Sequence, residues 1–385
     1  MPGFRVALLG TQFMGRVHSH AFRTVASFFP VDPPEMAVLC GQDAQRTAAQ
    51  AAKFGWEEAS TDWREVIARK DIDLVDVCTP GDSHAEIAIA ALKAGKHVIC
   101  EKPLANTVAQ AKQMAAAAKK AGTVTLTAYN YRRAPAVAHA KRMIERGDLG
   151  RIYHFRARYL QDWILDPNFP LVWRLRKEVA GSGPHGDLNA HITDMARYLV
   201  GEIAEVCGMT KTFIRKRPLP AGEGELGRRG SKKGAAMGEV TVEDASLFLA
   251  RFENGALGSF EATRFAAGRK NHHTWEINGE KGTLCWDLER LNELQWYSTE
   301  DAPTERGFRT ILCTEAGHPY AGAWWPAGHM LGYEHTFTHE ILDVVTAIAK
   351  GTKAQPDFED GLRTQQVLEA AMRSAETKKW ISVPR

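Results

Sequence analysis

Three side chains in this sequence have the chemical types that proton and charge transfer at a hydroxyl group requires. Lys102 stands in Glu101-Lys102-Pro103, directly after the apolar run HVIC. An ammonium there can hydrogen-bond an oxygen and stabilise negative charge that develops on it. Asp187 and His191 stand in Gly186-Asp187-Leu188-Asn189-Ala190-His191, four residues apart, so a helix would put them on one face. Histidine titrates near neutral pH and suits the acceptance and return of a proton. The carboxylate could orient hydroxyl groups or join a relay with His191.

A fourth feature points to a phosphate-bearing cofactor. Gly10-Thr11-Gln12-Phe13-Met14-Gly15 follows the first apolar run and precedes a helical stretch. It carries the first and third glycines of a dinucleotide fingerprint, with Gln12 at the middle position. Such a turn offers backbone N–H groups at a helix N-terminus to a pyrophosphate. After the run MAVLC come Gly41, Gln42 and Asp43, so the carboxylate that would bind an adenosine ribose arrives late or is absent. An arginine for a 2′-phosphate is absent until Arg46. NAD is the expected cofactor, with NADP left open, and Asp43 has the alternative of capping the next helix.

These residues need a frame. In the first third of the chain apolar strands alternate with helices: FRVALLG, MAVLC, LVDVCT, HVICEK and VTLTAY separated by helical patterns such as DAQRTAAQAAKFG and SHAEIAIAALKAG. Ser83 with Glu86 and Thr107 with Gln110 have capping-box spacing, and Gly95 and Gly122 stand where helices end. Strands apolar throughout imply a parallel sheet covered on both faces, a doubly wound Rossmann-type fold. After about residue 130 alternating segments dominate: RIYHFRARYL, ASLFLARF, ALGSFEATRF, HHTWEING, GTLCWDL and ELQWYS. They predict a second α+β domain with a large open, mostly antiparallel sheet. The division is 1–129 and 130–385, with 217–239 a basic, glycine-rich, mobile insertion.

At 385 residues, two domains are the default. The hydrophobic content of 44% and charged content of 25% are those of a globular protein. A net charge of +3 gives no reason to expect nucleic acid or a membrane surface as partner. No apolar stretch approaches the roughly 20 residues of a membrane-spanning helix. The start lacks a secretion signal and the six cysteines are scattered without a CxxC pair, so a cytoplasmic setting is expected. His335 and His339 have metal-ligand spacing, but nothing completes a motif and no metal is expected. His18 and His20 read as packing or surface residues.

The EKP and GDxxxH motifs, with Cys78–His84 (CTPGDSH), resemble the Gfo/Idh/MocA family of glucose–fructose oxidoreductase and inositol dehydrogenase, over essentially the whole chain. The second-domain segments NYRR (130–133), YLQDW (159–163), PLVWR (170–174), AGSG (180–183), DMARYLVGE (194–202) and GYEHTF (332–337) are similar to sugar dehydrogenases within it. The resemblance implies a Rossmann domain, a C-terminal α/β domain whose open sheet often forms the oligomer contact, and a homodimer or homotetramer. It implies hydride transfer between NAD(P) and a secondary hydroxyl, C3 for instance, of a sugar, anhydrosugar, glycoside or polyol. Lys102, Asp187 and His191 would then be catalytic. On the cofactor side it places Gly10, Gln12, Phe13, Met14 and Gly15, then Gln42 and Asp43, then Thr79, Pro80 and His84, and finally Glu101, Lys102, Asn130 and Arg174. On the substrate side it places Tyr131, Arg132, Gln161, Trp163 and His335 with the three catalytic residues, aromatic faces stacking on a sugar ring. Two alternatives use the same fold: a redox-neutral glycosidase working by oxidation, elimination and reduction, and a non-catalytic nicotinamide sensor.

Overall fold

The computed structural model describes residues 3–220 and 236–384. It divides into two compact units, Met1–Asn130 with Gly332–Gln365, and Tyr131–Leu331 with Gln366–Arg385. The stretch from 130 onward is therefore not one uninterrupted unit, because 332–365 lies with the N-terminal residues.

In the first unit the order is β1 (Arg5–Leu9), α1 (Phe13–Phe28), β2 (Glu35–Cys40), α2 (Ala44–Phe54), β3 (Glu58–Ser60), α3 (Trp63–Ala68), β4 (Leu74–Val77), α4 (His84–Lys93), β5 (His97–Glu101), α5 (Val108–Ala121) and β6 (Thr125–Ala128). The strands form one six-stranded parallel sheet in the order β3-β2-β1-β4-β5-β6. Val6, Ala7 and Leu8 of β1 and all four residues of β4 are fully buried, as strands covered by helices on both faces must be. Thr107 accepts from the Gln110 N–H at 3.2 Å, and Gly122 ends α5 in the left-handed region at φ +67°. The Ser83–Glu86 box does not form. Residues 81–83 make a tight 3-10 turn, the Ser83 hydroxyl lies 2.7 Å from Thr79 Oγ1 and 2.8 Å from the Pro80 carbonyl, and Glu86 pairs with Arg64.

The second unit continues with α6 (Pro135–Glu145), β7 (Ile152–Leu160), α7 (Lys177–Ala180), α8 (Ala190–Leu199), β8 (Ile203–Lys211), β9 (Lys216–Pro218), β10 (Met237–Glu239), β11 (Ala245–Phe252), β12 (Leu257–Thr263), β13 (His272–Gly279), β14 (Gly282–Asp287), β15 (Glu293–Ser298) and β16 (Arg309–Leu312). After α9 (Tyr333–Lys350) and α10 (Phe358–Thr377) the chain ends in β17 (Ile381–Ser382). A nine-stranded sheet runs β16-β15-β14-β13-β7-β12-β11-β8-β17, antiparallel except where β12 lies parallel to β7. In β11, Phe248, Ala250 and Phe252 point to a buried face while Leu247, Leu249 and Arg251 are exposed, the period of two that the sequence displayed. Phe248 and its cross-strand partner Phe260 stack at 4.3 Å. Strand β8 escaped the sequence reading because Gly208 interrupts its pattern. A Cβ there would lie 2.9 Å from the Ala371 carbonyl, so the glycine admits α10 against the strand.

The ends of the expected mobile insertion are ordered. Strands β9 and β10 pair antiparallel, and the buried Arg217 donates to the carbonyls of Ile164 (2.6 Å) and Asp166 (2.8 Å). The remainder of that expectation, residues 221–235, lies outside the described residues. Helix α9 belongs to the first unit, where it packs on α1: Tyr333 stacks on Phe13 and the Phe337 ring sits 5.4 Å from His18. Among the described residues no helix is long and apolar enough to cross a membrane.

Replacing Phe248 by Ala removes one ring of the buried stack and should lower unfolding free energy by about 3–5 kcal/mol, read by chemical denaturation.

Candidate functional site

The turn after β1 is built around two steric necessities. Gly10 has φ +125°, and a Cβ on it would fall 2.5 Å from the Cys78 carbonyl oxygen; a Cβ on Gly15 would fall 1.9 Å from the Gly10 oxygen. Gln12, which replaces the middle glycine, has φ −91°, a conformation open to any residue, and its side chain makes no capping bond to α1. No acidic residue occupies the first turn of α1. The first N–H groups of that helix therefore face no carboxylate of their own turn, which fits a pyrophosphate. Gly41 also has a steric reason, since a Cβ would meet Thr11 Cγ2 and Thr47 Oγ1, each at 2.6 Å. This crowding explains why the ribose position carries no side chain. Asp43 caps α2, accepting the Arg46 N–H at 2.7 Å through Oδ1, and Gln42 beside it is exposed.

The EKP segment ends β5. Lys102 is half-buried and joined to Pro103 by a cis peptide bond. Glu101, placed with the cofactor in the sequence, faces inward instead. One carboxylate oxygen lies 3.0 Å from His18 Nε2, and the other accepts the Lys102 N–H at 3.1 Å. His18 in turn has Nδ1 2.7 Å from Asp76 Oδ2, and both side chains are fully buried. Burial opposes a charge on His18, but the Asp76 carboxylate outweighs it and holds the imidazole well above the usual histidine range. Burial pushes the neighbouring Cys78 thiol far up, so it stays protonated. His84 is also turned inward: its ring nitrogens meet the Thr79 carbonyl (2.9 Å) and the Pro103 carbonyl (3.1 Å), tying the loop after β4 to the loop after β5. Asn130 is buried and donates to Thr336 Oγ1 on α9 at 2.8 Å. Glu101, His84 and Asn130 thus have side-chain atoms engaged within the protein, because each occupies a packed position that only an internal partner can satisfy.

In the second unit, residues 185–189 form a single π turn that runs straight into α8, so Asp187 precedes the helix that carries His191. A Cβ on Gly183 would come 2.0 Å from the Glu243 carbonyl, and one on Gly186 would come 2.4 Å from Ser182 Oγ. The His185 backbone N–H donates to Glu243 at 2.9 Å, and its ring lies 2.8 Å from both Ser246 Oγ and the Leu368 carbonyl. Burial lowers the His185 pKa and keeps the ring neutral. Asp187 is a third exposed and pairs with Arg264 Nη2 at 2.6 Å, while the Arg264 side chain is 1% exposed and lies over the Trp163 ring at 5.1 Å.

His191 packs against aromatic rings, Tyr131 at 4.7 Å and Tyr159 at 5.8 Å. Behind them His273 is buried, stacked on Tyr159 at 4.9 Å and edge-on to Trp286 at 5.3 Å. Neither of its ring nitrogens has a hydrogen-bond partner among the described residues. Tyr159 uses its one hydroxyl hydrogen on Asn271 Oδ1 (2.8 Å), so Tyr131 donates in the 2.8 Å bond between the two hydroxyls. Gln161 donates to the same Asn271 oxygen at 2.9 Å and accepts from Trp163 Nε1 at 2.8 Å.

The structure thus brings Tyr131, Gln161, Trp163, Asp187 and His191 into one connected group. Arg132 is not a free ligand for substrate: it is buried, forks onto Asp194 with Nε–Oδ2 at 2.8 Å, and lies over the Tyr198 ring. Arg174 stacks on Trp173, and Trp173–Leu175 form a short 3-10 turn. His335 sits in the first turn of α9 in the first unit, its Nδ1 accepting the Gly332 N–H at 3.0 Å, with burial lowering its pKa. Sequence reasoning missed Arg264, Asn271, Tyr159, His273 and the His18–Asp76 pair. For Asp76 there was a signal, an acid inside the otherwise apolar LVDV.

Comparison with known proteins extends over both units. A family profile described as an oxidoreductase family with an NAD-binding Rossmann fold matches residues 4–129, and the GFO/IDH/MocA C-terminal domain matches residues 137–285. Levoglucosan dehydrogenase of Pseudarthrobacter phenanthrenivorans is 44% identical over 389 residues, covering 100% of this chain and 99% of its own. A crystal structure of an oxidoreductase domain protein from Kribbella flavida is 51% identical with a TM-score of 0.94, covering each chain completely. The structure of levoglucosan dehydrogenase in complex with NADH and L-sorbose is 44% identical with a TM-score of 0.95, again over the whole of both chains.

Burial, helped by the neighbouring His272, pushes His273 down to about 3. The unfolded chain takes up that proton near pH 6.5 and the folded chain does not, so stability is lost as pH falls through the window from 6.5 towards 3. One such group contributes up to about 1.4 kcal/mol per pH unit. His273→Leu should flatten this acid limb in urea titrations at several pH values.

Proposed function

Because this chain belongs to the Gfo/Idh/MocA oxidoreductase family, we propose that it is an NAD-dependent dehydrogenase of a pyranose-type sugar, with an anhydrosugar such as levoglucosan first among candidates. Oxidation falls on a secondary ring hydroxyl such as C3. The observation that carries the reading is the likeness to levoglucosan dehydrogenase over the full length of both chains.

NAD, when bound, supplies the hydride acceptor; the chain supplies everything else. The Gly10–Gly15 turn and the start of α1 would hold the pyrophosphate, and Gln42 with Asp43 would meet the ribose, Asp43 keeping one carboxylate oxygen beyond its cap. His191 takes the hydroxyl proton. Lys102 stabilises the alkoxide that results. Asp187, paired with Arg264, is an acceptor for hydrogen bonds from neighbouring substrate hydroxyls. Tyr131 and Trp163 offer aromatic faces to the sugar ring.

The exposed face of the large sheet supports self-association into a homodimer or homotetramer. Leu247 is the cross-strand neighbour of Met209, and Met209, Leu249 and Leu257 are each more than half exposed. Uncovered apolar sheet faces of this kind favour burial against another surface.

With levoglucosan and a panel of pyranoses, NADH should accumulate with time, and Lys102→Met and His191→Asn should each lower kcat by about 10²–10⁴. A silent panel overturns the reading, and glycoside cleavage without net NADH assigns the redox-neutral course instead. Leu249→Glu should shift the mass measured by light scattering toward the monomer; an unchanged oligomer removes the sheet face from the assembly.

A further inference from the structure

We propose that His18 is a positioning residue for Lys102, acting through Glu101. The inference rests on the reading that Lys102 serves hydride transfer, and its geometry lies wholly in the first unit. His18 comes from the second turn of α1, Asp76 from the middle of β4, and Glu101 from the last residue of β5. The ring is fully buried between the two carboxylates, with Nδ1 on Asp76 and Nε2 on Glu101. Phe337 closes it from α9 and Cys78 Sγ lies 3.5 Å from Asp76 Oδ1, so no water or surface charge substitutes for the imidazole.

The second Glu101 oxygen accepts the backbone N–H of Lys102. A carboxylate is planar and rigid, so fixing one oxygen through His18 fixes the other, and that fixes the peptide from which the Lys102 side chain departs. On the far side of Lys102, His84 holds the Pro103 carbonyl. The lysine therefore leaves a backbone held at both flanking positions, which is what an ammonium that must meet one oxygen requires. Asp76 has a separate part: with His18 cationic, it makes the pair that lets two acids and an imidazole share a dry interior.

Two variants separate the two parts of the ring. An asparagine amide nitrogen lies near the position of Nδ1, and a glutamine amide nitrogen near that of Nε2. His18→Asn keeps the bond to Asp76 and loses the one to Glu101; His18→Gln does the reverse. A merely structural histidine would make the two equally poor. Positioning through Glu101 makes His18→Asn lose tenfold or more in kcat at unchanged NADH affinity, measured by fluorescence titration, and makes His18→Gln retain most of its rate. In a Lys102→Met background the His18→Asn loss should vanish, since nothing remains to position. Equal rates in the two variants, or an undiminished loss in that background, overturns the proposal.

Hydrogen exchange gives a readout without turnover. Pro103 has no amide, and the first two amides of a peptide exchange back during its analysis, so a peptide of residues 100–103 isolates the Lys102 N–H, which should be protected in the wild type and in His18→Gln but fast in His18→Asn. If His18→Asn does not fold, fast exchange of this amide in the wild-type chain still overturns the clamp. If the wild type oxidises no sugar, the functional reading fails while the exchange result decides the clamp by itself.

Discussion

A carboxylate inside a strand that is apolar on both faces persists only with a counter-charge or a full set of donors, since its desolvation costs several kcal/mol. Asp76 is such a group: Leu74, Val75 and Val77 around it are wholly buried, as it is. The requirement is met by an imidazole from α1, which then reaches a second acid at the end of β5. One helix therefore has two duties. Its N-terminus, pressed against Gly10 through Gly15, carries the glycine turn, and one turn later its His18 meets the acid that ends the strand leading into Lys102. Moving α1 relative to β4 and β5 would disturb both at once.

The second unit solves the same problem with different parts. Its π turn is held from beneath by His185, Ser246 and Glu243, and the turn presents Asp187 to a buried guanidinium. Lys102 in the first unit and Asp187 in the second are partly exposed, while the partner each meets, Glu101 and Arg264, is almost wholly buried. Depth supplies rigidity because a buried polar bond has no water competing for it. The outer group then has few alternative positions, which lowers the cost of bringing it to a reacting atom.

Much of the fold was legible because burial follows period. Both-face burial in β1 and β4 produced continuous apolar runs, and one-face burial in β11 and β13 produced alternation. Strand β8 was illegible because a glycine needed for the approach of α10 broke its pattern, a constraint set about 160 residues away in sequence. Local geometry was legible where spacing is local, as in the Gly10–Gly15 turn, whose two glycines are sterically required. The site was not legible where partners are distant. The acid in LVDV announces that it has a partner but not that the partner is His18, and the face of α1 gives no sign that one of its buried positions is ionic. Arg132 shows the opposite failure: a residue type suited to a ligand, taken by Asp194.

That second failure bears on how the protein would discriminate among sugars. Gln161 has its amide oxygen on Trp163 and its amide nitrogen on Asn271, Tyr159 directs its hydrogen to the same asparagine, and Tyr131 directs its own to Tyr159. Donors arranged in this way have a fixed direction, because Asn271 Oδ1 can only accept, and reversing any member leaves two hydrogens facing each other. Such a chain does not adapt to a ligand; it holds ring planes at set angles around His191. On the proposed dehydrogenase reading, recognition through these residues would work by shape and stacking, while Asp187 and Lys102 would set the demands on hydroxyl position.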